Sequence, residues 1–86
     1  MWLLGPPDIQ KLKQKRNIKA LIKALTYRKD PSTRKWAADA LGELGDKQAI
    51  EPLIASLGDE ESDVKCSAAT ALGKLVPRQH DYDMTG

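Results

Sequence analysis

The sequence predicts an all-α fold, a short α-α superhelix of about five helices stacked as pairs. Three observations carry this expectation. The stretch Trp36-Ala37-Ala38-Asp39-Ala40-Leu41-Gly42-Glu43-Leu44 returns 31 residues later as Ser67-Ala68-Ala69-Thr70-Ala71-Leu72-Gly73-Lys74-Leu75. Ile50, Leu53, Ile54 and Leu57 repeat Ile18, Leu21, Ile22 and Leu25 at a distance of 32 residues. A period in this range is the signature of a stacked repeat, and the i, i+3, i+4, i+7 spacing of each apolar set marks one face of a helix. The composition agrees. Phe is absent, Ala and Leu dominate the apolar residues, and no Asn-Gly or Asp-Gly turn sits between alternating apolar runs, so hairpins and β-sandwiches are disfavoured.

Taken in order, residues 1 to 7 read as a leader, since Pro6 and Pro7 can open a helix but not sit inside one. A short helix is expected from about Asp8 to Gln14, with Ile9 and Leu12 on one side. Asn17 is placed to cap a second helix, about Ile18 to Tyr27, and Arg28 and Lys29 fall at its C-terminus, where cations favour the helix dipole. Asp30 and Pro31 supply the cap and first-turn residue of a third helix that runs to Leu44. Its apolar face is Thr33, Ala37, Ala40, Leu41 and Leu44, with Trp36 at the border. Gly45 is suited to a left-handed C-terminal position. Asp46 caps a fourth helix ending near Leu57, where Gly58 stands as terminator. Pro52 costs that helix a hydrogen bond, so its first turn is expected to be 3₁₀ or bent. The fifth helix, about Glu61 to Val76, repeats the third, with Val64, Ala68, Ala71, Leu72 and Leu75 on one face. Residues 1 to 77 then form one domain of two helix pairs and an unpaired helix, and residues 78 to 86, which lack periodicity, form a disordered tail.

The pattern D-x-x-x-R-x-x-A-A-x-A-L-G-x-L-G-D-x-x-A-I-x-P-L-I-x-x-L is carried by Asp30, Arg34, Ala37, Ala38, Ala40, Leu41, Gly42, Leu44, Gly45, Asp46, Ala49, Ile50, Pro52, Leu53, Ile54 and Leu57. It resembles the HEAT-like repeat of the phycobilisome-lyase type, related to HEAT and armadillo repeats. The resemblance covers about Asp8 to Leu75. It implies an α-solenoid with a role in protein–protein binding or scaffolding. Some relatives act on bilin attachment, and one branch is a di-iron hydroxylase. That branch uses repeated His-Glu pairs, and no His-Glu occurs here, so its activity is not carried over. The second half of the last repeat is also missing, because Val76 and Pro77 follow Gly73-Lys74-Leu75.

Physical reasons stand beside the resemblance. Ala-Ala-x-Ala-Leu keeps a helix thin enough for close stacking. Gly42, on the side away from the stripe, would admit another backbone. Arg34 and Lys65 occupy equivalent positions, four residues after Asp30 and Glu61, and an i, i+4 pair or a bond to the Asp of the previous turn is expected for each. The centre of the core is expected at Leu41, Leu44, Leu53, Ile54 and Leu72.

Charge is unevenly spread. Residues 1 to 29 hold eight basic side chains against Asp8, and residues 30 to 64 hold three basic side chains against nine acids. A basic end can dock an acidic partner or attract the acidic part of another copy. Nucleic acid is a weaker reading, through Lys11, Lys13, Lys15, Arg16, Lys19 and Lys23, because Tyr27 is the only ring on those helices and no recognition motif is present. No metal or cofactor is expected. His80 is the only histidine and lies in the tail, and Cys66 has no histidine placed to activate it. The glycines are helix-turn residues, not a phosphate-cradling loop. The single cysteine fits a reducing, cytoplasmic compartment. The apolar run Met1-Trp2-Leu3-Leu4 is too short for a signal peptide or a membrane span.

The function expected is thus an interaction or scaffold module without catalysis, binding a protein partner. The alternatives are nucleic-acid or acidic-partner binding through the basic third, or an accessory subunit of a bilin-lyase-like enzyme. In solenoids of this type the second helix of each pair lines the concave face, which selects Lys19, Lys23, Glu51 and Ala55 as the binding surface. Because no sixth helix follows, Ala68, Ala71, Leu72 and Leu75 are expected to leave an exposed edge for self-association, most simply as a two-fold dimer.

Overall fold

The computed structural model describes residues 7–76, and these contain five α-helices and one 3₁₀ turn, with no strand among the described residues. The elements are α1 (Ile9–Gln14), α2 (Ile18–Ala24), α3 (Pro31–Leu44), the 3₁₀ turn (Lys47–Ala49), α4 (Ile50–Ser56) and α5 (Ser62–Leu75). The capping chemistry follows the sequence. Asp8, Asn17, Asp30 and Asp46 each accept a backbone N–H of the turn they open, from Lys11, Ala20, Ser32 and Gln48 respectively. Gly45 ends α3 at φ 72°, a left-handed conformation that costs glycine nothing. The fourth helix opens with a 3₁₀ turn, as expected, and Pro52 falls in the first turn of α4, where a missing amide leaves no helical hydrogen bond unmade.

The long helices α3 and α5 lie side by side and form the principal contact of the fold. α2 rests on α3, α4 rests on α5, and α1 closes against α2 and α3. Close approach of α3 and α5 depends on small residues. Ala37, Ala38 and Ala68 are fully buried. At Gly42 a Cβ would stand 2.8 Å from both the Cα and Cβ of Ala71, so glycine here sets the distance between the two axes. Gly73, the equivalent residue of α5, meets nothing within 4 Å.

The core centre differs from the sequence expectation. Leu41 and Leu53 are fully buried, but so are Leu21 and Val64, while Leu44 and Leu72 are only partly buried. Ile54 is 48 % exposed and does not belong to the core. Its repeat equivalent, Ile22, faces α4 and is partly covered, whereas no described helix lies beyond α4 to cover Ile54. Trp36 departs from its equivalent in the same way. It is 54 % exposed, while Ser67 is buried, because that face of α3 meets the six-residue α1 and that face of α5 meets a full-length helix.

Residues 1–6 and 77–86 lie outside the described residues. All but the last residue of the leader expected over residues 1 to 7, and the expected C-terminal tail with its His80, fall there. Among the described residues no helix is long and apolar enough to cross a membrane.

Candidate functional site

The groove between α2 and α4 is built on a buried ion pair. Arg34 is 1 % exposed, and a guanidinium in that position must place all its donors. Its Nε and Nη2 donate to Asp59 at 2.8 and 3.1 Å, and its Nη1 donates to the carbonyl oxygens of Tyr27 and Arg28 at 2.9 and 3.1 Å. Asp59 also accepts the backbone N–H of Glu61 at 2.9 Å. One fork-to-fork pair therefore fastens the α2–α3 turn, the start of α3 and the α4–α5 turn together. The hydrogen bonds from Arg34 hold the Asp59 carboxyl below its ordinary range, and Asp59 in turn raises the guanidinium's already high pKa.

The i, i+4 pairing expected for Arg34 with Asp30 is therefore corrected. Asp30 is occupied by the Ser32 N–H and the Thr33 hydroxyl, and the partner of Arg34 comes from a turn 25 residues onward. Lys65, its repeat equivalent, is exposed. The position equivalent to Asp59 is Arg28, which itself reaches Asp59 and Glu60 at 3.4 Å. The staple is thus made once among the described residues and not at each repeat.

Beside it the groove encloses about 390 Å³. Ile22 and Thr26 line one wall, Pro52 and Ala55 the other, and Arg28 and Glu60 stand at the stapled end. Lys19 and Lys23 share the helical face of Ile22 and Thr26 by register, and both are exposed. Glu51 and Ala55 are exposed on α4, one turn apart. The four residues selected from the sequence therefore fall on the helices that wall one groove, although only Ala55 lines it directly. Sequence reasoning missed Ile22, Thr26, Arg28, Pro52 and Glu60. The signal for Ile22 and Thr26 was available, since they lie three and seven residues after Lys19.

The expected self-association edge is placed differently. Ala68, Ala71 and Leu75 are buried within the chain and Leu72 is partly covered. Both α3 and α4 pack on α5 and cover this stripe, which leaves Leu72 as its partly exposed member. The outward side of α5 instead carries Cys66, Ala69, Thr70 and Gly73.

A second cleft, of about 540 Å³, runs between α1 and α3 past Trp36, Asp39 and the Lys13–Glu43 ion pair. Lys13 holds the Glu43 carboxyl below its usual range by a direct hydrogen bond. Cys66 is a free, exposed thiol, and no group of three or more His, Cys, Asp or Glu side chains suited to a metal is found among the described residues.

Stacked helices α3 and α5, with α2 and α4 walling a groove beside them, define a helical-repeat protein of the solenoid class. The chain belongs to the HEAT-repeat family, whose model matches residues 18–81. It is also similar to the alpha subunit of a phycocyanobilin lyase from Picosynechococcus sp., with 39% identity over 84 residues. That match covers 91% of this chain and 30% of the relative, so the chain spans less than a third of the length of the curated relative it matches.

Proposed function

We propose that the chain is a protein-interaction module that uses the groove between α2 and α4, with Lys19, Lys23, Glu51 and Ala55 as contact residues and no chemistry of its own. The observation that carries this reading is the groove itself. Its walls carry the exposed Thr26 and Ala55 beside the half-buried Ile22 and Pro52, and its closed end is fixed by the buried Arg34–Asp59 pair. A cleft held in shape before a partner arrives loses less entropy on binding. HEAT repeats, as a family, support a scaffold role. The test is affinity capture from the source cells with the parent chain, Ala55→Trp, Glu51→Lys, and a control, Lys47→Glu, on the exposed 3₁₀ turn. A partner retained by the parent and the control but lost with the groove variants supports the reading. Equal capture by all four chains contradicts it.

A second reading is favoured by the similarity to the alpha subunit of a phycocyanobilin lyase. In it the same module serves as an accessory part of a bilin-attaching enzyme. The chain would then change the rate at which a lyase attaches phycocyanobilin to an acceptor protein, followed by absorbance. An unchanged rate at excess chain contradicts it.

A further inference from the structure

We propose that the groove between α2 and α4 takes an acidic amphipathic segment of a partner protein, with its apolar side chains on Ile22, Pro52 and Ala55 and its carboxylates on Lys19 and Lys23. This rests on the reading of the groove as a docking face and specifies the chemistry of what docks there.

At the stapled end, Asp59 is held by Arg34 and Arg28, and Glu60 is paired with Arg28. Asp59 is spent within the fold, whereas Glu60 is an exposed carboxylate held in a surface pair. Lys19 and Lys23 have no acidic partner among the described residues, and neither do Lys11, Lys15 and Lys29 nearby in the chain. Glu51 is the uncompensated acid on the α4 wall. Lys19, Lys23 and Lys29 stand unpaired against Glu51 and Glu61, a small positive excess, and the basic first third of the chain adds a field of the same sign.

The lining then separates a polypeptide from a polyanion. On the two walls Ile22, Pro52 and Ala55 present apolar surface, which a phosphate backbone cannot use but a leucine-bearing segment can. No aromatic ring lines the groove for base stacking. Spacing is the last element. Lys19 and Lys23 lie one turn apart, about 6 Å along the axis of α2, and carboxylates at i and i+4 of a partner helix repeat at that rise.

Fluorescence anisotropy with the full chain tests the proposal using three labelled probes. One is a helix-forming peptide of about 16 residues with a leucine stripe flanked by glutamates. The second has lysine for each glutamate. The third is a single-stranded DNA of matching net charge. The acidic peptide is expected to bind, and to bind at least roughly tenfold more weakly to Lys19→Glu/Lys23→Glu and to Ala55→Trp. Lys11→Glu/Lys15→Glu, on and beside α1, should change affinity less than about threefold, as charges outside a contact do. Circular dichroism checks that each variant is folded, and Ala55→Glu replaces Ala55→Trp if the latter is not.

Binding of the basic peptide in preference, still sensitive to Ala55→Trp, overturns the acidic partner and leaves the docking groove standing. DNA bound as tightly as the acidic peptide, with Ala55→Trp silent, overturns both, since charge outside the groove would then account for everything. No binding of the acidic peptide overturns the proposal.

Discussion

Arg34 and Asp59 couple stability to pH in a way that can be read directly. The folded carboxyl has a pKa below its unfolded value of about 3.9. A group depressed in this sense stabilises the fold above its unfolded pKa, and that stabilisation is lost as pH falls through the folded pKa. Urea midpoints of the parent and Asp59→Asn should therefore differ by a constant amount near pH 7 and converge below about pH 4. Asp59→Ala, which strands a buried guanidinium, should cost about 3–5 kcal/mol. Arg34→Met should cost less, because Asp59 keeps the Glu61 N–H and the exposed Arg28. Denaturant titration checks the order, and a larger loss for Arg34→Met contradicts it. The glycines give a second pair. Gly42→Ala drives a methyl into the backbone of Ala71 and should cost about 1–3 kcal/mol, as overpacking does. Gly73→Ala enters open space and should stabilise by up to about 1 kcal/mol through helix propensity. Thermal melts of the two variants should move in opposite directions.

Among the elements, neighbouring residues of α4 separate core from edge. Leu53→Ala should cost about 2–5 kcal/mol, the usual loss at a buried leucine, and Ile54→Ala under about 1 kcal/mol, since half of that side chain already faces water. Equal losses would place Ile54 back in the core. The same pair shows what the sequence makes legible. Helix boundaries follow from local chemistry where caps and breakers are strong, as at α3, whereas α2, expected to reach Tyr27, ends at Ala24. The Asp30 cap, Pro31 and Gly45 define α3 to the residue, and Pro52 marks the 3₁₀ turn. The amphipathic stripe, however, only says which residues prefer burial. Whether Ile54 is covered depends on a neighbouring helix, and periodicity along α4 contains no information about one. The partner of Arg34 was hidden for a related reason. The equivalence with Lys65 suggested a local pair, but Asp59 reaches Arg34 only because α3 and α5 stack. For the groove, helical register together with the resemblance to solenoids, whose second helices line the concave face, selected Lys19, Lys23, Glu51 and Ala55, all of them exposed. It could not identify Arg28 and Glu60, whose meeting depends on the relative placement of two turns.

For the molecule as a whole, two grooves on opposite flanks of the α2–α3 unit compete for the role of docking face, one between α2 and α4 and one beside Trp36. The first is fixed by a buried bidentate pair, and the second is closed by a six-residue helix that packs on the core through Ile9 and Leu12 and whose side-chain ion pair to α3, Lys13–Glu43, lies at the surface. A solvent-screened surface pair holds a helix weakly, so the α1 cleft should open more readily and protect its amides less than the stapled turns. Hydrogen exchange checks this, with α1 expected to exchange faster than α3 and α5. The central claim is that partners engage the groove between α2 and α4. Site-specific photo-crosslinking in the source cells tests it most directly, with a photoreactive residue placed at Ala55, at Trp36, or at Thr70 on the outer side of α5. The account predicts a discrete adduct from position 55 that disappears when Lys19 and Lys23 are changed to glutamate, and none of that mass from positions 36 and 70. The same adduct from position 36 or 70, with position 55 silent, would contradict it.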